Sequence, residues 1–345
     1  MAIKLDSLKT EPRLLIEVQL QPLQGTRFQP TNFPDLGPAT YAHQGSEMLL
    51  VESAQSMANR MEAVCWDSNE RDGKGAPISV LSDLPYVSAE LPDGRVVSSI
   101  TESHRLNSPY FVVTQFQKQL CDAVGFEKGK PWRMQNLARH LFSIDPNSLL
   151  HGVFFSNVQD GRLRLPRCIS AFIEATLPGK GDGRVESGFT RREESDPTGV
   201  AGGKVLDGVS DASLKSLGYD KPGDYRKKLK DNVKNIIGPR TEFTGNITAF
   251  FNVDLAQLRG YGLPPEAEKL LIALSLFKIQ KVLRDGLRLR TACDLEPAGE
   301  IVVKRPSGFV LPDLASLENE LPTLIKAAAG HFAKDSERTV TYEKA

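Results

Sequence analysis

Residues 13–23, RLLIEVQLQPL, put Leu14, Ile16, Val18 and Leu20 on one parity and Leu15, Glu17, Gln19 and Gln21 on the other. A period of two with one apolar face predicts a half-buried β-strand. The stretch that follows, QGTRFQPTNFPDLGPATYAHQG, is rich in Pro and Gly and reads as an ordered, shaped loop. In SEMLLVESAQSMANRMEAVCW the period changes. Leu50, Ala54, Met57, Met61 and Val64 recur at helical spacing, with Ser46 as N-cap and Glu47 beside it. The other face of that helix carries Ser53, Ser56, Asn59 and Arg60.

Residues 70–140 break into shorter pieces. PISVLSDLPYVSAELPDGRVVSSI predicts a hairpin around Asp93-Gly94, and TESHRLNSPYFV and VVTQFQKQLCDAVGF are partly helical with a break at Pro109. We read this region as an insertion. HGVFFSNVQDGRLRLPRCISAFIEATL (151–177) predicts two strands joined by a turn, the second entered through Arg162, Arg164 and Arg167. Charge protecting a strand edge is the ordinary reason for such arginines, and a polyanion lying across the sheet is the functional one. Residues 179–208 contain eight Gly in thirty, too many to build much core, and are expected to project as a loop or long hairpin. GNITAFFNVDLAQL returns to strand character, and PPEAEKLLIALSLFKIQKVLRDGL is a buried helix opened by Pro and closed at Gly286. LRLRTACDL and EIVVKRP are strands, LASLENELPTLIKAAAG is a last helix interrupted at Pro322, and the tail after Ala333 is expected to be poorly ordered. With the insertions removed the order approaches βαββαβ, an α+β fold with a ferredoxin-like or RNA-recognition-motif sheet. That topology alone licenses no function.

Composition narrows the setting. The 345 residues are 40% hydrophobic and 25% charged, enough for a sizeable core in one elaborated domain or two small ones. LLIALSLF is too short to span a membrane and runs into Lys278 and Lys281, and MAIKLDSLKTEPR lacks a signal-peptide apolar region, so a cytoplasmic protein without membrane partners is expected. Four scattered cysteines with no CxxC pairing fit a reducing compartment and argue against a zinc site. Equal numbers of basic and acidic residues, 43 each, argue against a nonspecific nucleic-acid coat. The balance is local, however: residues 101–192 hold 13 Lys or Arg against 8 Asp or Glu, and residues 221–240 hold 7 against 2. Such regions can carry phosphate contacts.

Catalytic signatures are missing. The five histidines form no HExxH or ligand spacing, and neither a GxSxG elbow nor a Walker loop occurs. GKGDG at 179–183 is not followed by a helix start, so it reads as a flexible loop rather than a phosphate cradle. Asp182, Asp196 and Asp207 sit on Gly-rich chain and read as solvated charges. HGVFFSNV also departs from the alternating-aromatic signature of RNA-recognition strands. What remains is polar and basic: Gln24, Arg27 and Gln29 after the first strand, Ser53, Ser56, Asn59 and Arg60 on the first helix, Arg162, Arg164 and Arg167, and Arg191 and Arg192 in GFTRR. Together they can line a phosphate track that positions a nucleic-acid strand without reading its sequence.

The blocks LLIEVQLQPLQGTRFQPTNFPDLGPATY, LLVESAQSMANRMEAVCWD, DPNSLLHGVFFSNVQDGRLRLPRCISAFIEA and GLRLRTACDL resemble the backbone subunit of the type I-G (formerly I-U) CRISPR Cascade effector complex, of the Cas-seven group of RAMP proteins. The resemblance implies a modified RNA-recognition-motif palm at 13–66, 141–178 and 245–306, and a helical finger insertion at 67–140. It also implies a projecting thumb hairpin within 179–244 and a C-terminal helix and tail at 307–345. It further implies a noncatalytic protein without cofactor or metal, whose copies stack along CRISPR RNA as a helical filament, each thumb folding over a neighbour's RNA. Target DNA, reached through guide pairing, and other Cascade subunits are the remaining implied partners. Some type III relatives cleave RNA with a metal-bound carboxylate in the corresponding loop, so Asp182 and Asp196 keep a metal-dependent, guide-directed endoribonuclease open as the alternative.

Overall fold

The computed structural model describes residues 3–33, 37–70, 73–112, 114–156, 158, 163–178, 183–188, 210–216, 221–224 and 239–341. Its strands, in chain order, are β1 (Arg13–Pro22), β2 (Thr40–His43), β3 (Ser46–Glu52), β4 (Ser88–Glu90), β5 (Val96–Ser98), β6 (Val153–Phe154), β7 (Arg164–Leu165) and β8 (Ile169–Thr176). They continue with β9 (Arg184–Gly188), β10 (Pro239–Phe243), β11 (Asn246–Asp254), β12 (Arg288–Arg290), β13 (Cys293–Pro297), β14 (Val302–Arg305) and β15 (Thr339–Thr341). The helices that matter below are α1 (Ala54–Ala63), α2 (Phe116–Val124), α3 (Met134–Ile144), α4 (Pro146–His151), α5 (Pro265–Asp285) and α6 (Leu314–Ala328).

The main sheet is antiparallel and runs β12-β13-β1-β11-β8-β3-β2, with β14 pairing the same edge of β1 as β13. Its connectivity follows from two crossovers. The chain leaves β1, passes through α1 and the insertion, and returns in β8, which is parallel to β1 but separated from it by β11. It then leaves β11, passes through α5, and returns in β13 on the far side of β1. Each crossover therefore straddles a strand that belongs to the other, the split βαβ arrangement. The result is an α+β fold with a single large antiparallel sheet.

Alternation decides the two faces. Leu14, Ile16, Val18 and Leu20 of β1, Ile247, Ala249, Phe251 and Val253 of β11, and Ile169, Ala171, Ile173 and Ala175 of β8 are buried. α1 and α5 pack on the sheet and on each other. α5 is enclosed on nearly every side, from Leu270 and Leu271 to Phe277 and Ile279, which explains its almost uninterrupted apolar sequence. Removing a side chain such as Phe277 would cost about 3–5 kcal/mol. The opposite sheet face carries Glu17, Gln19, Thr248, Glu174 and a cross-strand pair, Phe172 and Phe250, whose rings stack 5.0 Å apart.

Four expectations change. Residues 46–52 form strand β3 rather than the first turns of a helix, and the helix starts at Ala54 behind Ser53, whose Oγ accepts from the Ser56 amide at 3.3 Å. A short apolar run such as MLLV fits either period, and pairing on both sides, with β2 and β8, selects the strand. His151 closes α4, so HGVFF gives only the short pair β6–β7, while CISAFIEATL supplies β8 of the main sheet. The tail is packed as far as Thr341: β15 lies parallel to β4 and extends the predicted Asp93-Gly94 hairpin, β4–β5, to three strands. Pro322 sits inside an unbroken α6, which packs along α5. Of the 179–208 segment, the structure describes 183–188, which pairs as β9 with β10.

Candidate nucleic-acid interface

Glu52 is the last residue of β3 and is 1% exposed. A carboxylate at such a depth needs cationic and hydrogen-bonding partners. It accepts from Ser56 Oγ, from Arg60 Nε at 3.0 Å and from Arg290 Nη2. Both arginines are anchored further. Arg60 donates to the carbonyls of Arg288 (3.3 Å) and Leu289 (2.6 Å), and Arg290 donates to those of Gln29 (2.7 Å) and Val51 (3.3 Å). Arg167 joins from the β7–β8 connection, donating to the Ala54 carbonyl at 3.0 Å. Two guanidinium groups thus hold one buried carboxylate just ahead of α1, and a third, Arg167, is fixed on the first turn of that helix through the Ala54 carbonyl. The side chains of Arg60 and Arg290 each keep 24% exposure, so their charge is felt at the surface while their geometry is fixed.

The structure brings together five of the predicted residues: Gln29, Ser53, Ser56, Arg60 and Arg167. The sequence places Arg60 on the solvent side of the helix, and it instead turns toward Glu52, because the buried carboxylate needs a cation. Arg27 is exposed and pairs with Glu242 of β10 at 3.1 Å, and Gln24 is exposed on the same loop. Asn59 is exposed one turn beyond Ser56 and borders a cleft of about 190 Å³ that also includes Trp66 and Glu102. Arg164 is exposed on β7. Arg162, Arg191 and Arg192 lie outside the described residues, as do Asp182, Asp196 and Asp207. Sequence reasoning missed Glu52 and Arg290. The available signal was the alternation in LRLR, which places Arg288 and Arg290 on one side of β12 with Leu289 buried between them.

A second polar knot lies at the other end of α1 and ties the insertion to the sheet layer. Glu62, 2% exposed, accepts from Arg105 Nε and Nη2, both at 2.6 Å, and from Asn147 Nδ2 at 2.7 Å. Lys278 of α5, 1% exposed, donates to Asn147 Oδ1 at 2.5 Å. Burial pushes the Glu62 carboxyl up, and Arg105 opposes that shift. Close by, His151 is fully buried, and among the described residues neither ring nitrogen has a hydrogen-bond partner. Burial, reinforced by Lys278, Arg105 and Arg167, holds its pKa well below the usual imidazole value, so the ring is neutral. Among the described residues no group of three His, Cys, Asp or Glu side chains is placed to hold a metal ion, and no helix is long and apolar enough to cross a membrane.

Comparison with known proteins gives a family over part of the chain. Among solved structures, a chain of a "CRISPR RNA-guided surveillance complex, pre-nicking" is similar at 13% identity, covering 83% of this chain and 74% of that one, with a TM-score of 0.37. A score of that size does not fix a shared fold. No curated protein sequence matches. Residues 14–177, from β1 through α1 and the insertion to the end of β8, match the model of a family described as CRISPR-associated protein GSU0053, and over that stretch the chain is similar to that family.

Proposed function

We propose that this protein is a noncatalytic, CRISPR RNA-binding backbone subunit of a type I surveillance complex, of the I-G kind, whose copies line up along the guide. The observation that carries the reading is the fixed basic group beside α1, Arg60 and Arg290 on Glu52 and Arg167 on the Ala54 carbonyl. All of it except Arg290 falls inside the stretch that matches the CRISPR-associated family. The split βαβ sheet supports a palm of RNA-recognition-motif type, with 67–140 as finger and 179–244 as thumb. In this reading the fixed guanidinium groups hold phosphates, and Ser53, Ser56 and Gln29 add polar contacts. Guide sequence is left unread, as a subunit that must accept any guide requires. The partners are the guide RNA, neighbouring copies, other subunits of the complex and, through guide pairing, target DNA.

The test is RNA binding across a salt series with guides of unrelated sequence. A backbone grip loses affinity steeply as salt rises, by roughly one unit of log–log slope per phosphate neutralised, and is indifferent to sequence. Arg164→Ala, at an exposed strand position, should lower that slope by about one and leave stability unchanged. Salt-independent binding would overturn the reading. So would regularly spaced, Mg²⁺-dependent cuts in complementary RNA that vanish in Asp182→Ala or Asp196→Ala, which would establish the endoribonuclease alternative.

A further inference from the structure

Arg139 and Phe142 lie three residues apart on α3 and so share one side of that helix. Phe142 is buried, with its ring 5.6 Å from that of Phe332. Arg139 is exposed and, among the described residues, makes neither an ion pair nor a hydrogen bond. The connection that enters α5, Gly262-Leu263-Pro264, and His331 from the turn after α6 meet these two residues around a pocket of about 450 Å³. That volume lies within the range of small-molecule sites.

The lining divides by chemistry. Phe142, Leu263 and Pro264 supply apolar wall, and Arg139 supplies a positive charge. His331 is engaged with Glu266, 2.7 Å from Nε2 to Oε1, so that carboxylate already has a partner other than Arg139. Gly262 turns the chain at a φ of +61°, and a Cβ at that position would lie 4.0 Å from Arg139 Nη2, so the guanidinium and this backbone border the same space. The Leu263 amide comes next and, among the described residues, has no acceptor. The end of α5 itself is closed: Pro264 and Pro265 carry no N–H, the Glu266 amide turns to its own carboxylate, and the Ala267 and Glu268 amides both bond the Pro264 carbonyl at 3.0 Å. The donors in want of an acceptor are therefore the Arg139 guanidinium and the Leu263 amide.

We propose that the pocket between α3 and the entry to α5 binds a small organic oxyanion, a carboxylate or phosphate monoester with a ring-sized apolar body. The oxyanion sits on Arg139 and the Leu263 amide, and the body lies against Phe142, Leu263 and Pro264. A guanidinium fork matches two oxygens of either group. The apolar wall rewards a ligand that brings carbon with its charge over a bare inorganic ion. None of the lining residues belongs to the basic group beside α1, so the inference stands or falls apart from the RNA-binding reading.

The test is titration of the full, nitrogen-15-labelled chain with benzoate and with phenyl phosphate, followed by the amide resonances of Gly262 and Leu263. Both probes should give saturable shifts there with a Kd of about a millimolar, the affinity open to ligands of this size; the tighter of the two identifies the oxyanion. Benzyl alcohol keeps the ring without the charge and inorganic phosphate keeps the charge without the ring, so each should bind about tenfold or more weaker. Arg139→Gln changes an exposed side chain, and it should weaken both probes about tenfold or more with the melting temperature unchanged. Arg139→Lys should restore only part of the affinity, because it returns the charge without the fork. The inference is overturned by the absence of saturable shifts at these amides up to about 10 mM probe, by undiminished binding in Arg139→Gln, or by inorganic phosphate binding as tightly as phenyl phosphate. Single-stranded RNA that shifts the same amides at lower concentration than either probe would also overturn it, by making the pocket part of the RNA track.

Discussion

Arg105→Ala probes the knot that joins the insertion to α1. In the native structure Arg105 gives Glu62 two charged hydrogen bonds at 2.6 Å, and both side chains are almost fully buried. Without Arg105 the carboxylate keeps the Asn147 amide at 2.7 Å, while Lys278 reaches it only through Asn147. Breaking a buried pair by removing one partner costs about 3–5 kcal/mol, because a charge is stranded in a poor solvent. The stranded carboxylate can escape by taking a proton, since burial already pushes its pKa up and the variant removes the main opposing influence. A raised folded-state pKa gives stability that is present at low pH and lost as pH rises through it. Relative to the wild type, the variant should therefore lose most at pH 7 and less at pH 5. Adding Glu62→Gln should recover much of the loss at pH 7 while leaving little difference at pH 5. Urea unfolding at the two pH values reads both effects. A loss below about 1 kcal/mol, or an equal loss at both pH values with no recovery in the double variant, would refute the buried ion-pair account.

Other outcomes follow from the same geometry. Arg60→Ala removes one of two guanidinium partners of Glu52 but leaves Arg290 and Ser56, so unfolding experiments should register about 1.5–3 kcal/mol, with RNA affinity falling as well; a neutral effect on stability would mean the Glu52 bond is not formed in solution. His151, with its folded-state pKa depressed, contributes stability that is present above its unfolded value of about 6.5 and lost as pH falls below it, by up to about 1.4 kcal/mol per pH unit. His151→Leu should flatten that acid limb in a melting series, and an unchanged limb would assign it to other groups. Gly75→Ala places a Cβ 2.4 Å from Trp66 Nε1 at a φ of +78°, so a loss of roughly 1–3 kcal/mol and a shifted tryptophan emission are expected.

Legibility in the sequence depended on how far apart the deciding partners lie. β1, β8 and β11 could be read because a two-residue period and one buried face are local properties, and α5 because its apolar run has clear Pro and Gly boundaries. Residues 46–52 were read as helix because Leu50, Ala54, Met57 and Met61 keep a helical period by coincidence across a strand–helix junction. Only the hairpin partner β2 and the β8 edge distinguish the two. Of the interface, the residue types on α1 were legible. Their mutual arrangement was not: Glu52 and Arg290 are 238 residues apart, and no local pattern pairs them. The same holds for Glu62 with Arg105 and for Lys278 with Asn147, buried contacts between residues far apart in the chain that no local pattern pairs.

The parallel pairing of β15 with β4 has a consequence for how the molecule is made. During synthesis the β4–β5 hairpin emerges about 240 residues before the strand that completes its sheet, which at ribosomal speeds is a wait of about 12–50 s. Throughout that interval β4 presents an open edge, short and ending in charged Glu90, a form that discourages pairing with other nascent chains. Among the described elements, this small sheet is the one completed by the strand latest in the sequence. A ribosome stalled in the final helix would hold a chain whose main sheet can close while this hairpin still waits for its third strand.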